Sequence, residues 1–283
     1  MAALKEVKTR IASVQSTKKI TEARQMIASA QLHRSQAVLK QALLYHDTLH
    51  AMLESLAASV DNELDTPLTE ERTEGETAVV IFSSNSGMNG AFNARMEKEL
   101  HTFKELHHAE KNIFIPIGNK ARKALLQTGC EPAYQLDHLV HKPTFDDVTA
   151  LAATLTDLFL SKKAKRIELI YYHFKSVGVQ DIKRQTFLPF RIAKTGNAAP
   201  ANYIIEPSLP DVLEKSLPLL LRAMLYAALI DHQTSEFAAR TIAMQLASEN
   251  ANELLDELRL TYNKVRQQNI TTELLDIMGS SFA

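Results

Sequence analysis

Helix breakers are placed in this chain of 283 residues so that few folds remain open to it. It has 8 glycines and 9 prolines, and all but Gly279 lie between Pro67 and Pro218. Residues 1–66 and 219–278 contain neither type. In a helix interior, proline costs about 3 kcal/mol and glycine about 1 kcal/mol. Two such stretches without breakers predict two long helical arms. At about 1.5 Å per residue, each could reach roughly 90–100 Å, too long to lie within a compact domain of this size. The expected division is an N-terminal coiled-coil helix at 1–66, an α/β domain at 67–207 and a C-terminal coiled-coil helix at 208–283.

The arms carry partial heptads. Leu4, Val7, Ile11 and Val14 step by 3, 4 and 3, as in a coiled-coil seam, and the pattern loosens around Ala23, Ala28 and Ala30. Leu254, Leu258, Tyr262 and Val265 step by 4, 4 and 3. Helices at opposite ends of one chain pair most simply with each other, antiparallel. Charge favours this: residues 1–40 carry eight basic and two acidic side chains, whereas 222–283 carry five basic and eight acidic. Exposed ion pairs add only ~0–1 kcal/mol each.

Between the arms, 77–82, 112–118 and 166–174 are apolar runs of strand length. Helical patterns cover 92–108, 119–127 and 145–161, the last opened by a Thr144/Asp147 capping box. Strands alternating with helices predict a small, mostly parallel sheet. Residues 181–190 read as a further strand in a hairpin through Gly178, and 203–206 as a short final strand. Ser208, Pro210 and Asp211 mark the start of the C-terminal helix. The fold class expected is α+β, a long antiparallel coiled coil with a central Rossmann-like domain.

Composition removes several functions. Lys+Arg total 32 and Asp+Glu 33, so no overall field holds nucleic acid or a membrane surface. Cys130 is the single cysteine, which excludes an internal disulfide and a cysteine-built metal site. No apolar run reaches the roughly 18 residues of a membrane span. The loop Ser83–Gly90, between a strand and a helix, is placed where backbone N–H groups could hold a phosphate. Its G-x-x-G spacing is neither the dinucleotide fingerprint nor a P-loop, and a tight turn packing helix on sheet accounts for it. His46 and His50 share a helix face but lack a third ligand. His138 with His141, and His107 with His108, have no more support as metal ligands. No nucleophile–base set can be located from spacing.

The ends carry a specific resemblance. Thr234, Ser235, Glu236, Ala238, Ala239, Arg240, Ala243 and Met244 look like the "SE-x-AAR-x-x-AM" run of the γ-subunit family of F-type ATP synthases. Asn250 to Leu254, Leu260 to Gln267, and Ile270, Thr271, Glu273 and Asp276 continue it. Lys5, Glu6, Ile11 to Thr17 and Lys19 to Thr21 resemble that family's N-terminal helix. The resemblance implies a rotor shaft. The terminal helices would form a coiled coil inside a ring of three α and three β subunits. The central domain would stand at the foot, with the ε subunit and the membrane c-ring. Rotation of the ring would drive ATP synthesis at the β subunits, so the chain itself is expected to be non-catalytic and without a cofactor.

By motif position, Arg240, Arg266, Gln267, Thr271 and Glu273 correspond to β-subunit contacts. Ile270, Leu274, Leu275, Ile277, Met278 and Phe282 would form an apolar tip bearing. Tyr203 and Glu206 fall in the foot strand on the ε and c-ring side. Segment 21–31 is suitably small and polar for a shaft that must slip. Departures from the family pattern are Arg24, Asn85 with Ser86, Asn89, and Ser280 with Ser281. The match begins almost at Met1, from which a bacterial protein, peripheral on the cytoplasmic face of the cell (inner) membrane, is expected. Two other readings stay open on residues alone: a coiled-coil scaffold associated with DNA, and a nucleotide-using enzyme centred on Gly87–Gly90.

Overall fold

The computed structural model describes residues 2–58, 66–107, 111–140, 143–191, 205–206 and 208–281. Helix α1 (Ala2–Ala58) comes first and α5 (Leu209–Ser281) last. Residues 59–65, 203 and 204 lie outside the described residues, so the end of the first arm and half of the expected strand at 203–206 are not described; residues 205 and 206 are not in a strand. Pro218 lies inside α5.

Between the long helices run β1 (Glu76–Phe82), α2 (Phe92–Leu106), β2 (Asn112–Ile117), α3 (Asn119–Gln127), a 3-10 turn (Asp137–Val140), α4 (Phe145–Leu160), β3 (Ala164–Ser176) and β4 (Val179–Leu188). The sheet order is β2-β1-β3-β4. β1 is parallel to both β2 and β3, and β4 returns antiparallel to β3 as the hairpin expected through Gly178. The Thr144/Asp147 capping box opens α4.

Alternation along the strands divides the core in two. Val79, Ile81, Phe114, Ile170 and Tyr172 face Phe92, Met96, Leu100 and Phe103 of α2 and Leu125 of α3. Ala78, Val80, Phe82, Ile115, Ile117, Ile167 and Leu169 face the other way. There they pack with Val148, Leu151, Leu155 and Phe159 of α4, with Leu53 and Leu56 of α1, and with α5 from Leu213 to Leu229. The result is an α/β/α sandwich with part of each long helix in its core. The chain forms two compact units, Met1–Ala30 with Arg240–Ala283, and Gln31–Ala239.

Candidate functional site

The coil unit is built on a regular seam. The less exposed positions of α1 are Leu4, Val7, Ile11, Val14, Lys18, Thr21, Gln25 and Ala28, alternating by 3 and 4. The same spacing continues in the other unit through Leu32, Ser35, Leu39, Ala42, His46, Leu49, Leu53 and Leu56. The pattern therefore does not loosen after Val14. It is hidden in the sequence because Lys18, Thr21, Gln25, Ser35 and His46 occupy seam positions where apolar residues are expected. In α5 the seam is Met244, Ser248, Ala251, Leu255, Leu258, Tyr262 and Val265. Leu255 is buried where the heptad expectation placed Leu254, which sits half-buried beside it.

A buried hydrogen bond of 2.7 Å between the Thr21 and Ser248 hydroxyls sets the level of the two helices. Counted antiparallel from that pair, α1 runs out opposite residue 267. α5 continues to Ser281 without a facing helix of this unit. Lys18 pairs with Glu22 and Arg259 with Asp256, each within its own helix. Those two ion pairs do not bridge the coil, so the opposite charge of the arms is not expressed through them.

The second feature is a polar junction inside the α/β unit. β3 loses its β1 partner after the Ile81–Ile170 pair. Beyond that point α5 side chains take the place of the strand. Asp231 accepts the Phe174 N–H at 2.7 Å and also meets His173 Nδ1 at 2.7 Å. His232 Nδ1 accepts the Tyr172 N–H, and Ser235 donates to the Tyr172 carbonyl. On other sides, Gln233 donates to the Val140 carbonyl, and Thr234 pairs with Ser35 of α1 at 2.6 Å. Buried backbone groups need partners, and four of these five consecutive polar residues supply them here, while Thr234 pairs with a side chain. Burial pushes the Asp231 carboxyl up, with the His173 and Phe174 hydrogen bonds opposing. Burial also drives His232 down to about 3, the Ser83 backbone opposing, so its imidazole is neutral at physiological pH.

The loop after β1 is closed on itself. Ser84 Oγ donates to the Ser86 carbonyl and meets Asn93 Oδ1, while Asn89 donates to Ser84 Oγ. Asn85 donates to the Asp137 carbonyl at 2.7 Å and accepts the Asn119 N–H at 2.9 Å. Ser83 Oγ accepts the Ala121 N–H. Gly118 has φ +104°, and a Cβ there would meet the Ser83 carbonyl oxygen at 2.3 Å. The loop thus anchors α3 and the 3-10 turn to the sheet through its own hydrogen bonds. Asn85 has a local task that a longer charged side chain would perform differently. Among the described residues no three His, Cys, Asp or Glu side chains converge as a metal site. His107 stacks on Phe103, and His108 and His141 lie outside the described residues. Cys130 is free and half-buried.

Comparison with known proteins bears on the two-helix architecture directly. A family model described as ATP synthase matches residues 3–283. The ATP synthase gamma chain of Bacteroides fragilis is 45% identical over 291 residues and covers 100% of both chains. That of Cytophaga hutchinsonii is 35% identical over 100% of this chain and 99% of its own. This chain belongs to the ATP synthase gamma-chain family. Among solved structures, a chain from the Euglena gracilis mitochondrial ATP synthase rotor superposes with a TM-score of 0.63 at 17% identity, covering 95% of this chain and 99% of that one. A second Euglena gracilis chain, from an OSCP/F1/c-ring assembly, gives 0.65 at 18% identity over 100% and 94%. At such identity these two establish the shared fold.

Gamma chains are non-catalytic, so the residues of interest are surfaces. The residues expected from the gamma-chain motifs fall mainly on the part of α5 beyond its partner helix. Arg266, Gln267, Thr271 and Glu273 are exposed, whereas Arg240 is half-buried. The Thr271 hydroxyl donates back to the Gln267 carbonyl. Ile270, Leu274, Leu275, Ile277 and Met278 are all exposed, Leu274 at 57% and Ile277 at 65%. Phe282 and Tyr203 lie outside the described residues, and Glu206 is exposed. Arg24 is exposed on α1 beside the seam. The junction from Asp231 to Ser235 was absent from the expected site. Its signal in the sequence is a run of polar residues in the middle of an apolar helical stretch.

Proposed function

We propose that this chain is the central rotor shaft of an F-type ATP synthase. It carries rotation of the membrane c-ring to the catalytic β subunits for ATP synthesis, and transmits the reverse rotation on hydrolysis. Its partners are the α and β subunits of the head, the ε subunit and the c-ring. No described helix is long and apolar enough to cross a membrane. The proposed place is peripheral, on the cytoplasmic face of a bacterial cell (inner) membrane, which the bacterial relatives support.

The observation that carries the reading is the end of α5. A single helix outruns its partner and bears Ile270, Leu274, Leu275, Ile277 and Met278 in the open. Water-exposed apolar residues clustered in this way mark a contact surface, and a surrounding sleeve of subunits is the contact a shaft requires. Ile270, Leu274, Ile277 and Met278 are assigned to the tip bearing. Arg240, Arg266, Gln267, Thr271 and Glu273 are assigned to contacts with β subunits. Tyr203 and Glu206 belong to the foot beside ε and the c-ring. The working parts are 1–66 and 208–283 as shaft helices and 67–207 as the foot domain.

The test is an affinity pull-down of the tagged chain from detergent-solubilised native membranes, with partner identification and an ATPase assay. Recovery of α, β and ε with ATPase activity is the expected result. Recovery of the chain alone, or with DNA, overturns the proposal in favour of a scaffold.

A further inference from the structure

We infer a binding site for a tetrahedral oxyanion, of the phosphate or sulfate class, within the α/β unit. A cavity of about 210 Å³ is lined by His46 and His50 of α1, Arg166 of β3, Gln185 and Thr186 of β4, Arg191 and apolar Pro189, Phe190 and Met224. Every polar side chain in that lining can donate a hydrogen bond, and none is a carboxylate. The volume suits one small oxyanion with water and lies below the roughly 300 Å³ at which sites for larger ligands begin.

The carboxylates nearby hold the donors from the side. Asp47 meets His46 Nδ1 at 3.0 Å, and Glu54 meets His50 Nδ1 at 3.6 Å. Glu168 pairs with Arg166 at 3.4 Å, and Glu71 with Arg191 at 2.6 Å. With each Nδ1 turned to its carboxylate, the Nε2 atoms are the remaining polar atoms of the two rings, and they donate to an anion in the protonated imidazolium form. His46 Nε2 is buried and has no hydrogen-bond partner among the described residues. A buried polar atom without a partner needs one from outside the protein. Gln185 is fixed similarly: its Oε1 accepts the Tyr171 hydroxyl at 2.8 Å, which leaves the NH2 group to offer. Phe190, edge-on to the His50 ring, closes one side. A doubly charged anion meets two arginines, two imidazoles and an amide, the charge-assisted arrangement that binds phosphate most strongly. A neighbouring, larger cavity shares Arg166 and Arg191 but is also lined by the carboxylates of Glu71 and Glu168.

The test is isothermal titration of the full chain with sodium sulfate and with inorganic phosphate, against chloride at equal ionic strength. Sulfate is the primary probe because its charge is constant between pH 6 and 8. Saturable binding is expected. Arg166→Gln, at a half-exposed position, should weaken it at least tenfold, as should His46→Gln, while Lys175→Gln, remote from the cavity, should not. Circular dichroism identifies any variant that fails to fold, and Arg166→Gln alone then decides. A parallel arm measures co-sedimentation with phosphatidylglycerol vesicles against phosphatidylcholine vesicles. If Arg166→Gln abolishes co-sedimentation as well, the oxyanion is a lipid headgroup; if only sulfate and phosphate bind, it is a free ion. Absence of saturable binding in both arms, or binding indifferent to Arg166→Gln, overturns the inference.

Discussion

At Gly118 the backbone has no room for a side chain. A methyl group would enter the Ser83 carbonyl and φ is already +104°. Gly118→Ala should therefore cost about 2–4 kcal/mol, read as a lowered urea midpoint with unchanged slope. Asp231 and His232 are neighbours whose pH effects have opposite signs. His232 binds its proton more weakly folded than unfolded, from 6.5 down to about 3. Its contribution is fully present above pH 6.5 and is lost as pH falls toward 3, at up to about 1.4 kcal/mol per pH unit. His232→Gln should flatten the acid limb of stability measured by urea unfolding between pH 7 and 4. Asp231 has a raised carboxyl pKa, so its contribution is fully present below the unfolded value and is lost as pH rises through the folded one. Asp231→Asn should thus gain on the parent chain as pH rises above about 4. Asp231→Ala should cost about 1–3 kcal/mol below about pH 4, because the Phe174 N–H loses its acceptor, and less as pH rises. An Asn variant that loses ground with rising pH would contradict the raised pKa.

Among the elements, the coil and the sheet obey different rules. The sheet was legible because apolar runs of strand length, separated by amphipathic helices, admit few arrangements. Four of the five expected strands and the three intervening helices appear where the pattern places them, while the short strand expected at 203–206 is not among the described strands. The coil was legible only in part, since its seam contains Lys18, Thr21, Gln25 and Ser248, which no apolar heptad count selects. Thr21 and Ser248 are recognisable once each helix supplies the hydroxyl that the other bonds. Thr21 and Ser248 allow a direct check by double-mutant cycle. Thr21→Val alone strands the buried Ser248 hydroxyl and should cost about 1–3 kcal/mol, whereas Thr21→Val with Ser248→Ala should be nearer neutral. Additive losses in the two single variants would show that the hydroxyl pair is not coupled.

For the whole molecule, the end of α5 is the element least supported by its own chain. Helix without a packing partner is marginal in water. In the isolated chain, amide hydrogens of 266–281 should exchange fastest within α5, and those of 220–238, buried in the α/β unit, slowest. Deleting 270–283 should leave the melting of the α/β unit unchanged, since none of its core residues lies there. Equal loss of stability in both units would mean that the division into two compact units does not describe their cooperativity.

The sequence by itself determined the two long helices, the mixed sheet between them and the family. Breaker positions, strand-length runs and terminal motifs are local features that tertiary context does not revise. The tertiary structure decided what polar residues in apolar surroundings are for. Nothing in the order Asp231, His232, Gln233, Thr234, Ser235 says that a strand runs out beside them and leaves its N–H groups to be met. Likewise, His46 and His50 read as a helix face until β3, β4 and Arg191 bring donors from more than a hundred residues away. Hydrogen bonding depends on which groups converge in space, and convergence is set by packing rather than by spacing along the chain.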